Sequence, residues 1–486
     1  MSNETFFVAF YLLCALLLAS VTAAAVVEWK TRNPALLFWL ALLAIYVVPC
    51  LRDPFNPYAF ILEHRDGKLG WGLDLRFNPV LLRAQLFAIG FVLFYLLTKA
   101  ALYRTERRAA AASGRFRLKE SIARLSRTSS MSGLTTTVLL IGLALAGYSV
   151  VAVHGFAGVL ESGYQSYYME SFTPAKLLSD YVFWAFGGSA FVAWSRRRYG
   201  LLCVIVAIFL SQFAMSMARG VWISVATPFV LHVLFRRWSL RNWIRIIAGG
   251  GLAYTVIVLM LLLRFEGGLL KAFDALASPR FYNKVTEQLQ AGQGEARRRV
   301  GYYFFMQEGI EYEGFATGQS FRRLLMLPIP SAWAGSLKPR PITERQYDRY
   351  YGLEGVRRSN QSAGQLPTLV FGSAYANFGW FGMVVGAFWA GLFGFFSVKI
   401  KRASPVDQAL YYGALGNLLL FASRGAIYNA VARMFWASLI VFLTLWAWRQ
   451  VQRHLRPKAG GNRVGLSNGS RADLTPTQIP QRSPNF

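Results

Sequence analysis

The sequence predicts an all-α integral membrane protein with about eleven transmembrane helices and one large loop outside the cytoplasm. Of its 486 residues, 55% are hydrophobic and only 15% are charged. The apolar residues fall in discrete blocks that approach the length needed to cross a bilayer, and the basic residues cluster between these blocks. This combination excludes a soluble globular protein.

The apolar blocks set the predicted spans. A helix crosses about 30 Å of hydrocarbon with about 20 residues, and several blocks are short by this measure. The predicted spans are 5–27, 34–51, 79–100, 133–153, 176–195, 200–216, 220–235, 246–263, 379–398, 406–422 and 427–448. The residues before the first block lack positive charge, so no cleaved signal peptide is predicted.

The basic residues predict the orientation of the chain. The 52 Lys and Arg outnumber the 23 Asp and Glu, giving a net charge of +29. If eleven spans alternate, the dense basic clusters all fall on one side of the membrane; they are Lys30/Arg32, 104–127, 196–198, 236–245, 399–402 and the region from 449. By the positive-inside rule this side is the cytoplasm, so the N-terminus lies outside and the C-terminus inside. The charge therefore indicates topology and contact with membrane lipids rather than binding of nucleic acid.

One connection is far longer than the others. Residues 264–366 are not apolar enough to span, and a loop of this length is exempt from the positive-inside rule. Because the other predicted spans are joined by short loops, a loop of this length is expected to be functional. The predicted domains are therefore an N-terminal bundle (1–263), a large outer loop with short helices (264–378), C-terminal transmembrane helices (379–448) and a polar, disordered tail (449–486).

The segment after the loop has two parts. An aromatic, glycine-broken lead-in (371–379) is predicted at the outer surface of the membrane, because the whole apolar run, 366–396, is too long for one span. Small residues then recur every four positions, at Gly382, Gly386, Ala390 and Gly394. They predict a smooth helix face that another helix approaches closely.

Arginines recur at the predicted outer ends of the spans. Arg219 and Arg424 each precede a glycine in a turn between two spans, Arg264 ends a span, and Arg433 lies about two turns inside one. Charged side chains at membrane depth either face a cavity or extend to the lipid headgroups, and both interpretations are open for these arginines. Converging guanidinium groups would suit a diphosphate, which they grip with forked hydrogen bonds.

Four short motifs follow one another between 200 and 445. They are the Arg-Gly outer turn at 219–220, a Gly-x-Ser-Phe segment at 318–321, an Ile-Pro…Lys-Pro segment at 328–330 with 338–339, and a Tyr-x-Asn-Phe-Gly entry to the next helix within 372–379. Their order resembles that of the Wzy-type polymerases of oligosaccharide repeat units, membrane proteins that combine such motifs with a large outer loop. Two positions depart from the family pattern: Ser373 stands where an acidic residue is common, and Ser331 where an Arg often follows Ile-Pro.

The resemblance implies a membrane glycosyltransferase of the GT-C type in the bacterial inner membrane. It would transfer a growing glycan from undecaprenyl diphosphate to another lipid-linked repeat unit at the periplasmic face. The implied partners are this lipid-linked donor and acceptor, membrane lipids, a flippase and a chain-length regulator. No cofactor is implied. Cys14, Cys50 and Cys203 lie in or beside apolar blocks and show no metal-ligand spacing.

Departure of a diphosphate requires cations, and attack by a hydroxyl requires a base. The candidate substrate-binding residues are Arg219, Arg264, Arg297, Arg298, Arg299, Lys338, Tyr375, Asn377, Arg424 and Arg433. The large loop contains no His, which leaves carboxylates as the candidate base; the candidates are Glu311, Glu313 and Asp180. Tyr375 and Asn377 would diverge by about 200° on a helix, so one could face sugar while the other packs inward.

Two other functions remain as alternatives. An O-antigen ligase has a similar architecture, but its family characteristically has a His in the large outer loop. A transporter or flippase of lipid-linked glycans would contain inverted repeats with paired broken helices, and only the two Arg-Gly turns suggest repetition. The sequence contains no P-loop, no Gly-x-Ser-x-Gly and no His-Glu-x-x-His motif.

Overall fold

A computed structural model describes residues 3–52, 79–112, 130–155, 174–216, 220–235, 368–425 and 427–455, with residue 244 and short stretches between 274 and 339. Within these ranges the protein is helical and contains no β-strand. The main helices are α1 Asn3–Thr31, α2 Leu36–Leu42, α3 Val48–Arg52, α4 Pro79–Ala112, α5 Ser130–His154, α6 Pro174–Phe186, α7 Gly188–Ser195, α8 Tyr199–Ser216, α9 Gly220–Leu234, α10 Gln319–Leu325, α11 Leu369–Phe378, α12 Val385–Arg402, α13 Pro405–Ser423 and α14 Ile427–Leu455. A π-helical turn joins α2 to α3, and a 3-10 segment, Gly379–Val384, joins α11 to α12.

Long apolar helices confirm the prediction of an all-α membrane protein. In the described ranges, six helical segments are long and apolar enough to cross a membrane; they are Glu4–Thr31, Pro79–Ala109, Gly133–Val153, Tyr199–Ser216, Leu369–Arg402 and Ala430–Val451. Leu36–Leu51 and Gly220–Leu234 are apolar but shorter. The predicted spans 176–195 and 406–422 coincide with helices α6–α7 and α13, whereas 246–263 lies outside the described residues. The number of about eleven spans stays a prediction.

The residues from Met1 to Phe442 form one compact unit, and those from Leu443 onward form a second. In the first unit, α12 packs along α4 through its small-residue face. A Cβ at Gly386 would overlap the carbonyl of Phe91, and a Cβ at Gly394 would lie 2.7 Å from a carboxylate oxygen of Glu106. Ala390, between the two glycines, is fully buried. The predicted close approach of a helix to this face is therefore confirmed.

Helices α1, α4 and α12 run parallel. The contacts of α12 advance along α4 from Phe91 to Glu106 as the chain advances from Gly386 to Gly394. Glu28, near the end of α1, likewise contacts Lys99 in the second half of α4. These helices correspond to the first, third and ninth predicted spans, and alternate spans must run in the same direction.

The orientation of the chain in the membrane can be measured with reporter fusions. The one-sided basic clusters predict that fusions at Gly114 and at Gly460 report a cytoplasmic location. A fusion at Gly294, in the large loop, is expected to report an external location. A cytoplasmic signal at Gly294 would overturn the predicted topology, with expression level of each fusion as the control.

Helix α11 runs in the opposite direction to α12. The ring of Phe371 packs 5.2 Å from that of Phe91, and the ring of Tyr375 packs 5.2 Å from that of Phe87. The chain therefore moves toward the start of α4 as α11 proceeds, whereas α12 moves toward its end. Helices α11 and α12 thus form a hairpin, and α11 is part of the buried core of the protein. Its position at the outer surface of the membrane stays a prediction.

Gly379 closes this hairpin. Its backbone has φ 56° and ψ −140°, a conformation that is essentially restricted to glycine. The two legs then meet directly, because a Cβ at Gly382 would overlap the carbonyl of Ala374. A residue with a side chain at 379 could not make this reversal without strain.

A short helical stretch of the predicted large loop also belongs to the core. The hydroxyl of Tyr302 donates to the carbonyl of Ala84 at 2.7 Å, and the hydroxyl of Tyr303 lies 3.4 Å from the sulfur of Cys50. Both tyrosines are fully buried. The described part of this stretch packs among α3, α4 and α11.

Candidate functional site

Three of the predicted site residues lie where several helices end or begin. Asp180 is in the second turn of α6, Arg424 ends α13, and Arg433 lies in the second turn of α14. The turn from α13 to α14 is fixed by Gly425, which has φ 85°. A Cβ at Gly425 would overlap the carbonyl of Leu369, so this turn is pressed against the start of α11.

The two arginines share one aromatic ring. The guanidinium carbon of Arg433 lies 3.9 Å from the ring centroid of Phe421 and 4.4 Å from that of Trp184. The guanidinium carbon of Arg424 lies 6.0 Å from the same Phe421 ring. Arginines stack on aromatic faces through cation–π attraction, and their N–H groups then lie in the plane of the guanidinium. We call Arg424, Arg433, Phe421 and Trp184 the arginine–aromatic cluster.

Asp180 lies beside this cluster on α6. It precedes Trp184 by four residues, which places both side chains on one face of the helix. Tyr181 packs its ring 5.4 Å from Trp184 and 6.3 Å from Trp436, which joins α6 to α14. Asp180 is 3% exposed, so its carboxyl group lies inside the bundle, four residues from the buried Lys176 on the same helix. This is the environment in which a general base would be placed.

The start of α9 meets the same cluster. A Cβ built on Gly220 would lie 3.9 Å from Nε1 of Trp184 and 3.6 Å from Oδ1 of Asn417. Gly220 is the first residue of a 15-residue helix, whose unpaired N–H groups and dipole favour negative charge. The arrangement therefore offers two guanidinium groups and one helix N-terminus to an anion.

Most predicted site residues of the outer loops lie outside the described residues. They are Arg219, Arg264, Arg297, Arg298, Arg299, Glu311 and Glu313. In the chain, Arg219 directly precedes Gly220, the first residue of α9. The roles predicted for these seven residues stay predictions.

Asn377 and Tyr375 diverge, as expected for residues two apart on a helix. Asn377 is fully buried and joins the hairpin to the loop: its Oδ1 accepts from the backbone N–H of Ser320 at 3.2 Å, and its Nδ2 donates to the hydroxyl of Ser320 at 3.2 Å. The same Nδ2 donates to the carbonyl of Ser373 at 2.7 Å. Tyr375 packs against Phe87 on the other side. These contacts fix the shape of the hairpin tip.

Lys338 stabilises the loop in which it lies. Its ammonium group donates to the carbonyl of Ile329 at 2.8 Å and is exposed. A neighbouring contact, from the guanidinium of Arg323 to the carbonyl of Pro339, holds the same segment. These partners belong to 318–339 rather than to the arginine–aromatic cluster.

Sequence reasoning missed a buried ionic cluster on α1 and α4. The ammonium of Lys99 lies 3.1 Å from a carboxylate oxygen of Glu28 and 2.5 Å from one of Glu106, and all three side chains are at most 1% exposed. The hydroxyl of Tyr95 donates to Glu28, and the amide of Asn33 donates to Glu106 at 3.3 Å. Charges at this depth are costly unless paired, so this cluster fixes how the helices pack.

A third helix joins the ionic cluster at the end of α12. There the ammonium of Lys401 donates to the carbonyl of Thr31, the last residue of α1, at 2.6 Å. The signal in the sequence was Glu28, an acidic residue within an apolar helix whose end is otherwise basic. In the described part of the chain, no three His, Cys, Asp or Glu residues are grouped as a metal site requires.

Comparison with models of protein families, with curated proteins and with solved structures finds no match.

Proposed function

We propose that this chain is a membrane glycosyltransferase that joins polyprenyl-diphosphate-linked oligosaccharide repeat units at the periplasmic face of a bacterial inner membrane. The observation that carries the proposal is the convergence of Arg424 and Arg433 on Phe421 and Trp184. Asp180 and the start of α9 lie at the same end of the bundle. The motif order of the sequence supports the same activity.

In the proposed reaction, a sugar hydroxyl of the acceptor attacks the anomeric carbon of the donor. The bond from that carbon to the diphosphate oxygen breaks, and the polyprenyl diphosphate leaves with the electron pair. Arg424, Arg433 and the helix N-terminus at Gly220 stabilise the negative charge that develops on the leaving group. Arg219, Arg264 and one of Arg297, Arg298 and Arg299 would complete this anion site.

The hydroxyl that attacks must lose its proton to a base. Asp180 is the described carboxyl group closest along the chain to the arginine–aromatic cluster, four residues from Trp184. Glu311 and Glu313 of the large loop are the other candidates. In this proposal the arginines act in place of a metal ion, and no cofactor takes part.

The proposal includes a GT-C-like bundle of about eleven spans with the N-terminus outside and the C-terminus in the cytoplasm. A flippase would supply lipid-linked repeats to the outer face, and a chain-length regulator would act on the product.

The first test is the surface glycan of a deletion strain, separated as a ladder on a gel. If the chain is a polymerase, the deletion strain should carry a single repeat unit on its lipid A core. Loss of every repeat from the lipid A core would indicate an O-antigen ligase. An unchanged ladder would exclude both the polymerase and the ligase.

The variant Arg433→Lys tests whether the stacked guanidinium group of Arg433 is needed for polymerisation. Lysine keeps the charge but loses the planar fork and the stacking on two rings, so we expect at least a tenfold loss of polymer at unchanged protein abundance. The readout is the glycan ladder of the complemented deletion strain, with membrane abundance measured by immunoblot. Arg402→Lys, at an exposed residue that ends α12, is the matched control and should leave the ladder unchanged. A full ladder in Arg433→Lys would mean that this arginine serves packing alone.

One structural feature also fits the transporter alternative. The hairpin of α11 and α12 interrupts an apolar segment at Gly379, and broken helices line the substrate routes of many transporters. A transporter would leave lipid-linked repeats on the cytoplasmic side of the deletion strain. Accumulation of single repeats at the outer surface instead supports the polymerase.

A further inference from the structure

Two buried side chains at the start of α9 each carry a polar atom that no hydrogen bond satisfies. The indole N–H of Trp184 and the amide oxygen Oδ1 of Asn417 have no partner in the described structure. Trp184 is 5% exposed and Asn417 is fully buried. The other end of the Asn417 amide donates to the hydroxyl of Ser224 at 2.6 Å, which orients Oδ1 away from that bond. Buried polar atoms almost always have a partner, so this pair calls for one.

Both atoms face the same small space. A Cβ built on Gly220 would stand in ordinary contact with each of them, at 3.6 Å from Oδ1 of Asn417 and 3.9 Å from Nε1 of Trp184. Among the described residues, no other heavy atom comes within 4 Å of that point, apart from the residues next to Gly220 and the backbone of its own helix. Glycine at 220 therefore leaves a gap between a donor and an acceptor that come from α6 and α13.

The chemistry of the gap selects its occupant. An indole N–H only donates, and a carboxamide oxygen only accepts. A phosphate oxygen would suit the indole but would be repelled by Oδ1, and a cation would have the reverse problem. A hydroxyl group suits both, because it accepts from Nε1 and donates to Oδ1. Arg433 stacks on the same indole, so this hydroxyl would lie next to the proposed diphosphate site.

We propose that a hydroxyl of the sugar attached to the donor diphosphate binds between Trp184 and Asn417 above Gly220. This subsite rests on the proposed function, since it places the first sugar beside the anion held by Arg433. It gives the chain a contact with the glycan that is independent of its contact with the diphosphate. Binding of the sugar-bearing lipid and of the bare lipid can therefore be separated by mutation.

Two variants probe the gap without disturbing the arginines. Gly220→Ala fills the gap with a methyl group in ordinary contact, so it should fold normally. Trp184→Phe removes the N–H and keeps an aromatic ring for Arg433. Their matched controls are Gly200→Ala, at a glycine in the first turn of α8 that has open space around it, and Trp389→Phe, at a buried indole in the hydrophobic core that also has no hydrogen-bond partner.

The experiment measures binding to the full-length protein in lipid nanodiscs. One probe is undecaprenyl diphosphate, and the other is the lipid-linked repeat extracted from the deletion strain. We expect Trp184→Phe to weaken binding of the repeat by about three- to tenfold and Gly220→Ala by at least as much, and each to weaken binding of undecaprenyl diphosphate by a clearly smaller factor. Both controls should bind both probes as the wild type does.

Unchanged binding of the repeat to Gly220→Ala and Trp184→Phe would overturn the subsite, and the gap would then hold a buried water. The proposed function would stand in that case, because Arg433→Lys would still weaken both probes. Wild-type protein that binds neither probe would instead overturn the proposed function, and the subsite with it.

Discussion

Replacement of Lys99 by methionine is expected to lower the free energy of unfolding by about 3–5 kcal/mol. The change keeps the length and apolar stem of the side chain but leaves the carboxyl groups of Glu28 and Glu106 buried without their cation. Removal of one partner from a buried ion pair is costly because the remaining charge has lost its solvent and its counter-charge. Unfolding of the purified protein by SDS, followed by circular dichroism, measures the effect.

Lys30→Met is the matched control, because Lys30 ends α1 at an exposed position. It should change stability by no more than about 0.5 kcal/mol. A double variant that adds Glu28→Gln to Lys99→Met should regain most of the lost stability, since the buried charges of Glu106 and Lys401 then balance. If Lys99→Met alone unfolds as the wild type does, the ionic cluster is solvated and does not tie the helices together.

Gly386→Ala is expected to destabilise the protein by about 1–3 kcal/mol or more. The new methyl group would overlap the carbonyl of Phe91, and a backbone atom in the middle of α4 cannot move aside as a side chain can. Helices α4 and α12 must then separate along their contact. The same SDS titration measures the loss.

Gly391→Ala is the control for this prediction, five residues further along the same helix. A Cβ at Gly391 meets no atom within 4 Å, so this change should be neutral or slightly stabilising through reduced freedom of the unfolded chain. Equal stability of the two alanine variants would contradict the close packing of α4 and α12. Because both variants introduce alanine into the same helix, the difference between them excludes a general effect of alanine on helix stability.

The close-packed face of α12 could be predicted from the sequence, because the spacing of its small residues matches the helical period. Gly386 and Gly394 fall on one face whatever lies opposite, and a face without side chains attracts a neighbour. The reversal at Gly379 was not readable in the same way. The sign of φ is a property of the folded backbone, and Gly379 is one of several glycines in an unbroken apolar run.

The sequence likewise predicted some residues of the site but not their contacts. Arg424 and Arg433 could be placed at one end of the bundle, since both lie near the junction of two spans. Their shared ring, Phe421, and the unsatisfied atoms of Trp184 and Asn417 depend on how four helices pack, which periodicity does not report. Lys99 lies inside the predicted span 79–100, and its partners were not predicted because a pattern of residues does not show which charges face each other.

The contact of Gly425 with Leu369 and Thr368 sets the position of Arg424 relative to the start of α11. A Cβ at 425 would overlap the carbonyl of Leu369 and the hydroxyl of Thr368, so any side chain at 425 would force the two segments apart. The glycine of the second Arg-Gly pair is thus a spacer of fixed width. It holds a cation at a set distance from the start of α11, and a shift of α11 would carry the cation with it.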